Sequence, residues 1–470
     1  MSGSIKLTFL GAAGNVTGSR FLLETQKSKI LIDCGLYQER DFLHRNWEDF
    51  GFSPSSIDAV LLTHAHLDHC GLLPRLVNMG FKGNVYCTSA TAEIARISLM
   101  DAAKMQEEDA AFKKKRHQSE GRKGPYPEMP LYTTADARAV TPLFSAVDYA
   151  KSVALGSGLS AAFYNAGHVL GSASIKLDFK SGDKSRTLLF SGDIGRLEDP
   201  LLEAPTLFDS ADDIVMEATY GAQAHESEEK AVGRLEAIIN DTFKRGGNVV
   251  IPSFALERAQ NILYYVSRAS AARRIPPLPV FLDSPMAVDI TSVFKRHPEF
   301  LAPEIRDAIA AGRSPFDFPG LKLVSGEGES RAIGNLKGSS IIIAGSGMAN
   351  GGRIKGHLVN NISRPESTVV FVGYQAANTL GRLITDGAKE VRIRGQFYPV
   401  RARIEKLDGF SAHADSSELF KWLSAFKQPP ARLFIVHSEP ATAQQFARVA
   451  EKQKPDWKTV IPEFKSEYML

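Results

Sequence analysis

Cysteine is scarce: Cys34, Cys70 and Cys87 are the three in 470 residues, an odd number with no paired spacing. That count argues against a disulfide framework and for a reducing compartment, the cytoplasm. Long apolar runs are missing too. No stretch reaches the roughly 18 residues that a bilayer-spanning helix requires, so no membrane association is expected. The first residues hold no basic segment followed by an apolar one, and no secretory leader is expected there. Nor is there an excess of charge of one sign: 56 Lys and Arg stand against 53 Asp and Glu, a net of +3. Such a balance neither demands nor excludes a polyanionic partner, so any nucleic-acid argument has to rest on local patches. Internal repeats and low-complexity linkers are absent as well. What remains is an ordinary globular composition, 43% hydrophobic, in a chain long enough for two or three domains.

Against that background one stretch is dense in chemistry. Thr63-His64-Ala65-His66-Leu67-Asp68-His69-Cys70-Gly71 follows the apolar run Ala59-Val60-Leu61-Leu62. A strand that ends in such a cluster aims several ligand side chains at one point, and imidazole with carboxylate suits zinc, manganese or iron better than calcium or magnesium. Three more apolar strands end alike: Ile30-Leu31-Ile32 at Asp33, 161–166 at Gly167-His168, and Thr187-Leu188-Leu189-Phe190-Ser191 at Gly192-Asp193. Glycine lets the backbone come close at such ends, and four of them point to a shared site. Asp213-Ile214-Val215-Met216 runs out at Glu217, and ligand-type residues return in Phe410-Ser411-Ala412-His413-Ala414-Asp415 and at His437 behind the strand 432–436.

His64, His66, Asp68, His69, His168, Asp193 and His437 are more candidates than one zinc takes, since a single ion needs three or four protein ligands. Two metals sharing a bridging carboxylate are therefore expected. A pair of cations about 3.5–4 Å apart activates a water and stabilises both the attacking and the leaving oxygen. That chemistry suits phosphodiesters best, with esters, lactones and thioesters as further targets.

Elsewhere, residues 5–33 read as a β-meander, 72–79 as a helix, and 90–117 as a helix that becomes basic at Lys113-Lys114-Lys115-Arg116, with Arg122 and Lys123 following. This is the densest positive patch, a pattern that is ordinarily a solvated face. From 226 to about 385 helices alternate with short apolar strands, the signature of a parallel α/β layer and a second domain. The loop 344–352 links a strand to a helix beginning near Arg353. Its glycines can offer backbone N–H groups to a phosphate, making Ser346, Gly347 and Arg353 candidate substrate contacts. It lacks the Gly-Lys-Ser/Thr of a nucleotide P-loop, so ATP is not expected. Arg392, Arg394, Arg401 and Arg403 alternate with apolar residues across an expected turn. A period of two places all four on one sheet face, with Arg392 and Arg394 as further substrate candidates.

The run 63–69, with Asp33 ahead of it and His168 and Asp193 behind, resembles the metallo-β-lactamase superfamily. Glu217 in Met216-Glu217-Ala218-Thr219-Tyr220-Gly221, His413 in 409–415 and His437 in Ile435-Val436-His437 are similar to the three additional motifs of the β-CASP nucleases. That group includes the cleavage and polyadenylation endonuclease and its bacterial and archaeal RNase relatives. Gly345-Ser346-Gly347-Met348 and Gly373-Tyr374-Gln375 resemble the group too, and the likeness covers essentially the whole chain.

The resemblance implies an α/β fold: a metallo-β-lactamase αββα sandwich from residues 1–209 and 396–470, an inserted β-CASP α/β domain at 210–395, and substrate in the cleft between them. It implies two zinc ions, with manganese as the alternative. His64, His66 and His168 would hold one, Asp68, His69 and His437 the other, with Asp193 bridging and Asp33 orienting a ligand imidazole. His413 would be the general acid, poised by Glu217, and Asp68 would also contact the attacking hydroxide. The implied activity is hydrolysis of RNA, single-stranded in the first instance, endonucleolytic with 5′-exonucleolytic cutting left open. His437 favours RNA, because the DNA-repair branch usually has Val there, although Ser438-Glu439 departs from the Gly-Glu often found in the RNA branch. Three alternatives stand: a DNA nuclease of the same family, a lactone or thioester hydrolase, and a non-catalytic scaffold. The filled ligand positions weigh against the scaffold, and Glu217, His413 and the inserted domain against the small-molecule hydrolase. Self-association is left open, and targeting is expected to come from the β-CASP surface or from partners.

Overall fold

Short apolar runs bounded by turns dominate both ends of the chain, and they pair into two sheets. The computed structural model describes residues 5–470 except 122, 125, 157, 182, 183 and 377, and not the side chain of 181. One sheet has the order Glu467–Met469, Lys6–Phe9, Phe21–Glu24, Lys29–Ile32, Ala59–Leu61, Asn84–Cys87, Phe144–Ala146. Its pairings are antiparallel as far as Lys29–Ile32 and parallel beyond. The other has the order Thr459–Val460, Arg432–Val436, Asp213–Glu217, Lys184–Phe190, Ala173–Ser181, Leu159–Asn165, Ser152–Gly156. The end of the chain thus returns to both sheets, and this return brings His437 back beside Glu217, through the pairing of Arg432–Val436 with Asp213–Glu217.

The two sheets share one core. Ile30, Ile32, Ala59 and Leu61 face Ile175, Leu177, Phe190 and Phe434 across it. Leu31 and Val60, the alternate residues, are just as buried, so both faces of these strands are covered and they read as unbroken apolar runs. On the outside of the second sheet, Leu189, Ile214 and Ile435 pack on Trp422 of helix Ser416–Ser424 and Phe446 of helix Pro440–Gln453. On the first sheet's side, helices Leu73–Asn78, Ser89–Glu120 and Thr134–Val140 pack on one another and on strand Phe144–Ala146. The layers are helix, sheet, sheet, helix.

The chain divides into two compact units, 1–199 with 203–224 and 413–470, and 200–202 with 225–412. These edges differ from 209/210 and 395/396, where the sequence reading drew them. Strand pairing is the reason: Asp213–Glu217 pairs inside the sandwich, and Arg403–Lys406 pairs with Thr368–Phe371 of the second unit. That unit is built on a parallel sheet of order Leu321–Val324, Val280–Asp283, Ile341–Ala344, Val249–Pro252, Thr368–Phe371, Arg403–Lys406.

One expectation is corrected here: the four arginines do not share a face. The chain turns at Arg394-Gly395, where both residues take the left-handed conformation (φ 51° and 88°), and closes a hairpin of Glu390–Ile393 with Gln396–Pro399. Arg392 lies opposite Phe397 on that hairpin, Arg394 is in its turn, and Arg403 opens an edge strand of the parallel sheet, paired with Glu405 and Asp241. An early turn and a change of sheet reset the period of two.

Phe434 sits between Phe9 and Tyr468, with ring centroids 5.1 and 4.9 Å away. Its replacement by Ala is expected to destabilise the sandwich by about 3–5 kcal/mol. Urea denaturation followed by tryptophan fluorescence measures this, and an unmoved midpoint would deny the ring its place in the core.

Candidate metal centre

Each candidate ligand hangs from a strand end whose backbone is fixed by its neighbours. After Ala59–Leu61 the chain bends at Ala65-His66, then enters the single-turn helix Leu67–Cys70. The adjacent strand end is clamped to that turn: Cys34 N–H donates to the His69 carbonyl at 2.7 Å and Leu36 N–H to that of Leu67 at 2.9 Å. A Cβ on Gly35 would meet the Asp68 carbonyl oxygen at 1.6 Å, so only glycine permits this approach. His168 and Asp193 follow the left-handed Gly167 and Gly192 (φ 65° and 58°), as the sequence suggested. Asp33 and His437 themselves adopt positive φ, 57° and 51°, which is uncommon outside glycine and concentrates at functional sites.

These ends bring seven ligand groups into two adjoining clusters, His64, His66, His168 and Asp193 in one and Asp68, His69 and His437 in the other. Within each, the ligand atoms lie within 4.8 Å of one another. In the first, Nδ1 of His66 is 3.1 Å from Nε2 of His64 and 3.2 Å from Nε2 of His168, and Asp193 Oδ2 is 3.4 and 3.5 Å from those two nitrogens. In the second, Nε2 of His69 and His437 are 3.2 Å apart, Asp68 Oδ2 is 3.4 Å from His437, and Asp193 Oδ1 is 3.4 Å from His69 and 3.7 Å from His437. A tetrahedral zinc with ligands at about 2.0–2.1 Å separates its donors by about 3.3 Å, and these spacings are close to that length. Several are too long for good hydrogen bonds, which run to about 3.2 Å. Asp193 directs one carboxylate oxygen at each cluster, and its Oδ1, though buried, accepts no hydrogen bond among the described residues. The donors present therefore fit divalent metal.

Charge leads to the same place. Burial, then repulsion from His69, pushes His64 well below the usual imidazole range, and burial takes His66 down to about 4. Both are neutral ligands at pH 7. Burial works against charge on His69 and His437 too, but Asp193 and Asp33 hold His69 well above its usual value, and Asp193 and Asp68 raise His437 to about 9. Despite its own burial, Asp193 stays well below the usual carboxylate range because His437, His69 and His64 surround it. The side chains thus hold protons where a cation is favoured, and a bound metal displaces those protons.

Two hydroxyls that sequence reasoning missed fix the imidazoles. Thr63 Oγ1 lies 2.9 Å from Asp33 Oδ2, 3.1 Å from His64 Nδ1 and 3.3 Å from His69 Nδ1, while Asp33 Oδ2 is 2.7 Å from His69 Nδ1. Thr219 Oγ1 lies 3.0 Å from His437 Nδ1. Threonine beside a metal-type motif was the available signal, and it is too common a residue to stand out.

Glu217 and His413 lie beside the clusters. Glu217, buried, accepts N–H bonds from Ile194 at 2.8 Å and Thr219 at 3.0 Å, and His413 Nδ1 is 3.1 Å from its Oε1. The His413 ring is 4.3 Å from that of His168. Burial opposes charge on His413, but Glu217 outweighs it and the imidazole is raised above its usual value.

Ser346, Gly347, Arg353, Arg392 and Arg394 all lie in the second compact unit. In the glycine loop, the N–H groups of Ser346, Ala349 and Gly351 are bonded within the loop. Arg353 is held by the fully buried Asp283 at 2.7 Å, which also accepts from His357 at 2.6 Å and Ser330 at 2.5 Å. Of the basic run, Lys113 pairs with Asp109 and Arg116 with Glu120 on an exposed helix end; Arg122 lies outside the described residues.

Comparison with known proteins places this centre in a family. The model described as a metallo-beta-lactamase superfamily domain matches residues 22–219, the Beta-Casp domain 259–384, and the Zn-dependent metallo-hydrolase RNA specificity domain 398–462. Ribonuclease TTHA0252 of Thermus thermophilus is 38% identical over 93% of both chains. The chain is a β-CASP member of the metallo-β-lactamase superfamily. Other relatives are the proteins named transcription termination factor FttA of Methanosarcina mazei, 34% identical over 96% of this chain and 69% of that one, and of Methanocaldococcus jannaschii, 32% over 94% and 68%. A crystal structure of a protein of unknown function from Enterococcus faecalis V583 shares the fold, with TM-score 0.56 and 13% identity over 99% of this chain and 100% of that one. As a β-CASP protein the chain is a metal-dependent hydrolase. Among the described residues no helix is long and apolar enough to cross a membrane.

Because one Asp193 oxygen faces each cluster, Asp193→Asn is expected to lower metal content in both. Elemental analysis of protein purified with zinc present measures it, and full occupancy in the variant would contradict the bridging geometry.

Proposed function

We propose that this protein is a zinc-dependent ribonuclease that hydrolyses phosphodiester bonds of single-stranded RNA by attack of water, cutting internally and, where a 5′ end enters, from that end. The observation that carries the reading is the His413–Glu217 pair beside the two ligand clusters. The clusters alone would serve any hydrolase of the superfamily; a second imidazole–carboxylate pair supplies the proton that a departing sugar oxygen needs. RNA as substrate is supported by the relative named a ribonuclease and by the description of the RNA specificity domain at 398–462. Three buried, unpaired cysteines accord with a cytoplasmic location.

Two zinc ions, held by His64, His66 and His168 and by Asp68, His69 and His437 with Asp193 between, would when bound supply an acidified water and neutralise phosphate charge. The remaining work falls to side chains. Asp68, half-buried at the rim of its cluster, orients the attacking water and accepts its proton. His413 is the general acid. Its Nδ1–H donates to Glu217, which leaves Nε2 to deliver a proton to the leaving oxygen, and the N–H bonds from Ile194 and Thr219 keep Glu217 in place as that charge moves. Asp33 and Thr63 hold the tautomer and tilt of His69, and Thr219 those of His437.

His413→Ala is expected to keep its metal and to slow cleavage by about 10²–10⁴-fold, the usual contribution of a positioned acid; wild-type turnover in that variant would remove the role. For the activity as a whole, zinc-loaded protein is incubated with end-labelled single-stranded RNA and DNA bearing 5′ phosphate or hydroxyl. Internal products from RNA alone are expected, and loss of cutting in excess EDTA. Equal cutting of DNA, or none of RNA, overturns the proposal.

A further inference from the structure

We propose that Phe254 and Tyr374, at the carboxyl edge of the second unit's parallel sheet, form a stacking platform for the bases of a single-stranded RNA. This rests on the ribonuclease reading and names a substrate-positioning surface within it.

Large aromatic rings are usually buried, yet Phe254 is 43% and Tyr374 53% exposed. They stand on neighbouring loops. Phe254 follows the strand Val249–Pro252, which pairs on one side with Ile341–Ala344 and on the other with Thr368–Phe371, the strand that leads to Tyr374. Ligands bind outside the carboxyl ends of strands in sheets of this kind.

Neither ring is on a loose segment. A Cβ placed on Gly347 would be 2.7 Å from the Phe254 ring, so the ring rests on the glycine loop and only glycine admits it there. The Gln375 amide donates to the carbonyls of Gly347 at 3.2 Å and of Gly373 and Tyr374 at 3.1 Å, tying the Tyr374 backbone to that same loop. Arg258 donates to the Val372 carbonyl and lies under Gly373, 3.3 Å from where a Cβ would be. Two exposed rings on neighbouring braced loops offer flat faces already held in place for a ligand.

The surroundings favour a polyanion as cover. The helices Arg258–Ala271 and Ile354–Asn361 both begin at this edge; their N-termini and the Arg258 guanidinium attract negative charge, offset in part by the buried Glu257 carboxylate at the N-cap of the first helix. Flat rings within an anion-attracting edge suit a nucleic acid strand, whose bases stack on aromatics irrespective of sequence. A protein partner would find the rings but no use for the potential.

The test compares wild-type protein with F254A, Y374A, the double variant and the conservative F254W/Y374W. The probe is a phosphorothioate-linked single-stranded RNA containing 2-aminopurine, and the control is an abasic strand of equal length. Wild type is expected to quench the probe and bind it more tightly than the abasic strand. Each alanine variant should bind the base-bearing strand about fivefold more weakly and the double about 30-fold, with quenching lost, little change on the abasic strand, and recovery in the tryptophan variant. Wild-type binding and quenching by the double variant overturn the platform, as does equal weakening on both strands. If wild type cuts and binds RNA while the variants behave normally, the platform alone falls; if wild type neither binds nor cuts RNA, the ribonuclease reading falls with it.

Discussion

Everything in the sandwich depends on placing one buried carboxylate, Asp193, within reach of imidazoles that come from distant parts of the chain. His64 and His69 reach it from one sheet, His168 from the loop after Leu159–Asn165, and His437 from the returning tail. Gathering such groups away from water is costly, because each carboxylate and each ring nitrogen loses hydration and few find proper hydrogen bonds. A fold tolerates this only where the backbone is rigid enough to prevent the groups from parting. The left-handed turns at Gly167, Gly192, Asp33 and His437, and the strand end pressed against Asp68 at Gly35, supply that rigidity.

The supporting contacts separate orientation from charge. Asp33 and Thr63 govern the far nitrogen of His69, and Thr219 that of His437, so the ring faces directed at Asp193 keep a lone pair available to a cation. Glu217 does something different. Its carboxylate accepts two backbone N–H bonds and faces the ring of His413, which belongs to neither ligand cluster. One buried acid therefore faces the ligand clusters, the other an imidazole outside them.

What the sequence made legible is explained by the same physics. Metal-type residues at strand ends are rare, so His64 to His69, His168, Asp193 and His437 stood out before any contact was known, and Glu217 and His413 through their family motifs. Thr63 and Thr219 did not, since a hydroxyl acquires its role only from the distance to a particular imidazole. The parallel second unit followed from apolar periodicity and the two-sheet sandwich from the family resemblance, whereas the ends of the units followed from neither. Whether Asp213–Glu217 or Arg403–Lys406 belongs to one unit or the other depends on which strand it pairs with, a non-local choice that composition does not record. The arginines at 392–403 failed for a related reason: a left-handed Arg394 turned the chain before the alternation could continue.

The second unit poses a separate constraint. Its sheet is covered by helices, so the surface it can offer a ligand lies in the loops at strand ends. Three of those loops are welded into one body: Gln375 bridges 347 and 373–374, the Phe254 ring lies on Gly347, and Arg353 ties the helix after the glycine loop to Asp283, at the end of the strand Val280–Asp283. Arg353 is the post that fixes this loop. A surface so braced yet topped by two exposed rings is preorganised, so a ligand that stacks on them meets little ordering cost from the protein.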